Sequence, residues 1–236
     1  MIVSIFVFIV IIVLSIPSAI IFIPLAAITG NVGPLYAVVC FIVRVGFRVA
    51  GIRVIVEGRE NVPAGKACIF MANHLSNLDP PGLIPRIPGR TAAFTKQEVF
   101  KIPVFGYCLK LGEYIPVGRT GNVTSAQESV AAARRILEKG VHITTFVEGS
   151  RSKDGRLLPF KKGPFYLAFE TGAPCVPISI YGTESLMAKG SYAIKPGTVH
   201  FIFHPPIYPQ DFETREELMA AVRVAIASGL PEWMRN

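Results

Sequence analysis

The chain has 236 residues, of which 51% are hydrophobic and 17% charged, with a mean hydropathy of +0.47 and a formal charge of +8. Those values exclude a disordered chain and argue against a purely soluble domain, while the length suits one sizeable core with an appendage. The basic residues are scattered, with Arg134-Arg135 and Lys161-Lys162 the only adjacent pairs. No nucleic-acid motif accompanies them, so the charge points to an anionic membrane surface or a phosphorylated substrate, and nucleic acid is not expected as a partner.

All the Lys, Arg, Asp and Glu lie from Arg44 onward. Met1–Ile16 is almost wholly Ile, Val, Leu and Phe, and Pro17 follows it. A second apolar stretch runs to Ile28, and a third, Leu35–Val43, leads into Arg44, Arg48 and Arg53. A secretory signal would need a basic region ahead of the apolar run, and none precedes it here. One straight span takes ~20 apolar residues. Pro17 and Pro24 leave two shapes open: a single kinked span, or two helices that dip into the bilayer and return. The arginines at the exit put the body on the cytoplasmic side by the positive-inside rule. Residues 1–50 are therefore read as membrane-anchoring helices and 51–236 as the globular domain.

From Gly51 the pattern changes to short runs rich in β-branched residues. Ile52–Val56, Cys68–Ala72, Ala92–Thr95, Tyr114–Val117, Ile143–Val147, Val176–Tyr181 and Val199–His204 are predicted strands. Helical patterns lie between and after them. Asn122–Lys139 has Thr124 and Gln127 at capping-box spacing and ends at Gly140. Pro164–Thr171 is followed by Gly172, and Thr214–Ala227 opens on Thr214-Arg-Glu-Glu217, again a capping box. The alternation predicts an α/β body with a mixed sheet mostly covered by flanking helices on its two faces. Cys40, Cys68, Cys108 and Cys175 lie too far apart for a zinc site or a disulfide framework, and read as small buried side chains.

In such a sheet, chemistry gathers in the loops at strand ends. The strand Cys68–Ala72 runs directly into Asn73-His74, with Asp79-Pro80-Pro81 five residues later. On a continuous helix those two residues would point apart, but a turn brings them together. A carboxylate on one imidazole nitrogen fixes the tautomer and leaves the other nitrogen as a general base. Asp before Pro-Pro also suits a helix N-cap, so Asp79 has two readings, and both can hold. The strand Ile143–Val147 ends in Glu148-Gly149-Ser150-Arg151. There a guanidinium suits bidentate phosphate contact, and backbone amides around Gly149 can add donors. The alternative is a loop ion pair between Glu148 and Arg151. His142, His200 and His204 lack ligand spacing, so no metal is expected.

Asn73-His74-x-x-x-x-Asp79 resembles the signature of the glycerophospholipid acyltransferase family, and Glu148-Gly149-Ser150-Arg151-Ser152 resembles a further, far more specific block of it. Gly112–Arg119 resembles a further block, with Gly118 where aspartate is common and Gly112 one residue farther from the arginine than usual. Val176-Pro177-Ile178 resembles a fourth, which also reads as a core strand with an edge proline. The four blocks stand in the expected order from Asn73 to Ile178. The resemblance implies acyl transfer from a thioester, acyl-CoA or acyl carrier protein, to the sn-2 hydroxyl of 1-acyl-glycerol-3-phosphate, giving phosphatidic acid. It implies His74 as base and Asp79 as its orienting partner. Arg119, Glu148, Gly149 and Arg151 are implied as acceptor ligands, with Lys96 and Lys161 as supporting charge. Glycerol-3-phosphate or another lysophospholipid is an alternative acceptor, and a catalytically silent lipid-binding relative is an alternative of another class. No cofactor is expected beyond the co-substrate. As in bacterial members, the place implied is the inner membrane, with the active domain on its cytoplasmic face.

Overall fold

The computed structural model describes residues 2–117, 123–188 and 190–235. The apolar N-terminus is a helical hairpin. Helix α1 (Ile2–Thr29) runs unbroken through Pro17 and Pro24, and α2 (Gly33–Val49) returns along it after a turn at Gly30. Gly46 sits against Ile11 so closely that a Cβ there would meet the Ile11 side chain at 3.2 Å. Neither proline breaks the helix. Beside Pro17, the Ser18 hydroxyl donates back to the Leu14 carbonyl at 2.7 Å, as Ser and Thr do in apolar helices. Ile5, Phe6, Ile12, Val13, Ile16, Ile20 and Ile28 all point outward from α1, which is long and apolar enough to cross a membrane.

The body is built on β1 (Ile52–Glu57), β2 (Ile69–Ala72), β3 (Thr91–Lys96), β4 (Ile115–Val117), β5 (His142–Phe146), β6 (Cys175–Tyr181) and β7 (Gly197–Phe203). They form one mixed sheet in the order β1-β7-β6-β2-β5-β3-β4. Its pairs are parallel except for β6 with β7. Every strand expected from the sequence is present. The helices are α3 (Asp79–Leu83), α4 (Phe105–Leu111), α5 (Val123–Glu138), α6 (Gly163–Thr171), α7 (Thr183–Leu186) and α8 (Arg215–Ser228).

Period-two alternation divides the core. Ile69 and Met71 of β2 face a layer with Leu167 of α6 and Leu218, Val222 and Ile226 of α8. Phe70 and Ala72 face the opposite layer with Phe47 of α2, Leu83 of α3 and Val7 of α1. The sheet is thus covered on both faces, as expected for this α/β pattern. At α8 the capping box is complete, with the Thr214 hydroxyl accepting from the Glu217 amide and the Glu217 carboxylate accepting from the Thr214 amide. At α5 the helix begins at Val123, and the Thr124 side chain of the expected capping box lies outside what the structure describes.

Pro177 lies in β6, which β7 and β2 flank, so the segment is a core strand, as one of its two readings has it. The Pro177 carbonyl accepts the His204 amide at 2.9 Å, and the bond its ring denies to β7 is the reciprocal one, at the very end of the β6–β7 ladder.

Candidate active site

Strands β2, β5, β3, β4 and β6 run parallel to one another, so their C-terminal ends share one edge of the sheet. The loop after β2 carries the signature histidine there. Asn73, fully buried, is fixed to the neighbouring strand by two hydrogen bonds. Its Nδ2 donates to the Ile180 carbonyl at 2.8 Å and its Oδ1 accepts from the Ile180 amide at 2.7 Å. The chain then turns, with the Asp79 amide donating to the Ser76 carbonyl at 3.2 Å. This turn brings Asp79 Oδ2 to 2.7 Å from His74 Nδ1.

Asp79 is fully buried, and its carboxylate oxygens are surrounded by donors. Oδ2 also takes the Leu75 and Ser76 amides at 2.6 and 2.8 Å, while Oδ1 takes the Thr183 hydroxyl at 2.5 Å. Four donors on one carboxylate place the imidazole proton on Nδ1 and leave Nε2 for a substrate. Of the two readings of Asp79, the structure supports the partner. The N-cap of α3 is Leu78 without a side-chain bond, and the Asp79 carboxylate reaches back into the loop instead. The His74 ring is stacked on Phe146, with centroids 4.1 Å apart, and its side chain keeps 17% of its surface exposed.

Glu148, after β5, lies beneath this loop, only 2% exposed. Its Oε1 accepts the His74 amide at 3.4 Å, and its Oε2 is buried with no partner among the described residues. Burial, reinforced by the nearby Asp79 charge, pushes the carboxyl up to about 8, so at neutral pH it is predominantly protonated. The Ser152 amide donates to the His74 carbonyl at 2.8 Å, so the two signature loops are joined through the backbone. Gly149 adopts φ +68, and its N–H donates to the Phe146 carbonyl at 3.0 Å rather than facing a ligand. Lys161 lies over it: a Cβ on Gly149 would meet the lysine's Cγ at 3.0 Å. Arg151 is half-buried in the same loop. Lys96 is exposed at the end of β3, at the same sheet edge. Arg119 lies outside the described residues.

Thr183 was not singled out from the sequence, nor was the β6 anchor role of Asn73 or the ring support from Phe146. Thr183 follows Gly182 at the C-terminal end of β6, which is the signal that could have found it. His142 and His204 have structural roles. His142 Nδ1 accepts the Cys68 amide at 3.0 Å, and His204 Nε2 pairs with the Ser179 hydroxyl at 2.7 Å.

An imidazole held by a buried carboxylate, with basic side chains at the same sheet edge, has the chemistry to take a proton from a hydroxyl group and to attract an anion. Comparison with known proteins supplies the family. Residues 53–181 match the acyltransferase family model, and the chain belongs to that family. It is 38% identical to the chloroplastic 1-acyl-sn-glycerol-3-phosphate acyltransferase BAT2 of Brassica napus over 156 residues, 65% of this chain and 44% of that one. It is 30% identical to human 1-acyl-sn-glycerol-3-phosphate acyltransferase alpha over 192 residues, 80% of this chain and 67% of that one. The crystal structure of the 1-acyl-sn-glycerophosphate acyltransferase of Thermotoga maritima matches with a TM-score of 0.74 at 32% identity, covering 83% of this chain and 78% of that one. The chain spans about half the length of the plant relatives it matches.

Proposed function

We propose that this chain transfers a fatty acyl group from acyl-CoA or acyl carrier protein to the sn-2 hydroxyl of 1-acyl-glycerol-3-phosphate, giving phosphatidic acid. The His74–Asp79 pair carries the reading. Its Nδ1 is held at 2.7 Å by a carboxylate with three further donors, so Nε2 is kept as a base. Nε2 takes the hydroxyl proton as the oxygen attacks the thioester carbonyl. The tetrahedral intermediate then collapses, the C–S bond breaks, and the imidazolium returns its proton to the departing thiolate. Holding both substrates makes the attack effectively intramolecular. Arg119 and Arg151 hold the acceptor phosphate, with Lys96 and Lys161 as supporting charge. Glu148 positions the His74 loop from below, and its protonated carboxyl can donate to an acceptor oxygen. The acyltransferase names of the relatives support the acceptor.

The helical hairpin fits the same reading. Acceptor and product are membrane lipids, and α1 presents an uncharged, largely apolar surface, so it lies in the bilayer with the body on the cytoplasmic face. The test is transfer of labelled acyl-CoA to a panel of acceptors: 1-acyl-glycerol-3-phosphate, glycerol-3-phosphate and other lysophospholipids. The first is expected to be the best acceptor, and His74→Ala to abolish transfer while folding and membrane partition persist. Full activity in His74→Ala ends the general-base mechanism; preference for another acceptor replaces the substrate.

A further inference from the structure

Where α2 leaves the hairpin, four arginines converge on one open groove of about 720 Å³ between α2 and β1. Arg44 and Arg48 come from the last turns of α2, Arg53 from β1, and Arg86 from the segment after α3. The other lining residues are apolar or glycine, and none is acidic. Two of the guanidiniums are held in place by main-chain carbonyls. Arg44 donates to the Pro85 carbonyl, and Arg86 donates to the Gly82 carbonyl at 2.9 Å while lying over the Phe47 ring at 5.2 Å. Burial and the neighbouring Arg44 charge depress the Arg86 guanidinium to about 10. Among the described residues no carboxylate pairs with any of the four.

We propose that this groove is a docking site for the phosphate of an anionic bilayer glycerophospholipid, separate from the transfer site. Like charges held together without a counter-ion cost free energy that a bound anion recovers. Guanidinium forks take phosphate oxygens two at a time, which a lone ammonium cannot do. The sequence of side chains along α2 selects a lipid over a free anion. Val39 and Phe41 are exposed and apolar, and Arg44 and Arg48 follow within two turns. That order matches the step from acyl chains to headgroups at a bilayer surface. The bound phosphate sits among the arginines, and its acyl chains run back along Phe41 and the hairpin. His74, Asp79, Glu148 and Arg151 do not line the groove.

The test uses the full chain in a neutral detergent. Native mass spectrometry follows binding of phosphatidylglycerol, with phosphatidylcholine and inorganic phosphate as competitors. Wild type is expected to retain one phosphatidylglycerol that neither competitor displaces at equal concentration. Arg44→Gln with Arg86→Gln is expected to weaken it about 30-fold, the worth of two basic residues at an anionic surface. Arg48→Gln with Arg53→Gln changes only exposed side chains and carries the test should the first pair impair folding; a similar loss is expected. His74→Ala and Arg151→Gln should bind as wild type does, which keeps this result independent of the transfer reaction. Unchanged affinity in Arg48→Gln with Arg53→Gln overturns the proposal, as does loss confined to Arg151→Gln. Displacement by inorganic phosphate at equal concentration reassigns the groove to free anions.

Discussion

Thr183→Val replaces one buried donor by a methyl group of nearly the same volume. The hydroxyl lies 2.5 Å from Asp79 Oδ1, both residues are fully buried, and no other donor to that oxygen is found among the described residues. A hydrogen bond to a charged group contributes ~1.5–3 kcal/mol. Without it the carboxylate keeps the Leu75 and Ser76 amides on Oδ2 but loses the hydroxyl that stops it turning about its own bond. Equilibrium denaturation should show about 2 kcal/mol less stability. If the same free energy supports the imidazolium during transfer, kcat falls roughly 10- to 100-fold, since each ~1.4 kcal/mol is tenfold in rate. KM for both substrates should stay within about twofold, because Thr183 faces the carboxylate and not the substrate. Thr183→Ser, which restores the hydroxyl, should recover most of the rate. A Thr183→Val enzyme with normal kcat, or a Thr183→Ser enzyme as slow as the valine variant, would refute the claim that this hydroxyl positions the dyad.

Other predictions follow from the same packing. The unfolded Glu148 side chain ionises near 4.5, whereas the folded one holds its proton to about 8, so stability is lost as pH rises through that window, by on the order of 5 kcal/mol at most. Glu148→Gln should remove this slope and melt above wild type at pH 8 but not at pH 5. Asn73→Ala leaves both Ile180 backbone groups unpaired at a buried position, and a loss of roughly 3 kcal/mol is expected in urea titration. On α1, Ile12 is 53% exposed, and Ile12→Lys costs ~3 kcal/mol in a bilayer, so partition into neutral vesicles should fall on the order of 100-fold. Unchanged partition would place that face of α1 outside the hydrocarbon.

Much of this was legible because it is local. Alternating β-branched runs gave all seven strands among the described residues, and the turn between His74 and Asp79 could be inferred from their spacing. What could not be read depends on residues far apart in sequence. Asp79 and Thr183 meet only because β2 and β6 are neighbours, a pairing that period-two patterning does not specify. The same is true of Glu148 beneath the His74 amide, a contact across the β2–β5 pair. The prolines of α1 were ambiguous because the penalty for a missing helical N–H depends on its surroundings. Val176-Pro177-Ile178 reads as a buried strand from its composition, but its place between β7 and β2 comes from the strand order, which propensity does not specify.

The N-terminal hairpin does more than tether. Val7 of α1 is buried in the same apolar layer as Phe47, Phe70 and Phe203, and the Ser4 hydroxyl accepts the Ile194 amide at 2.8 Å. A flexible linker would let the body tumble above the lipid, meeting it at any angle. Here α1 and the sheet share a core, so on the proposed function a seated α1 would fix the depth and tilt of the dyad together. The search for a lipid acceptor would then reduce to lateral diffusion in two dimensions, with lipid arriving at a site already at its level.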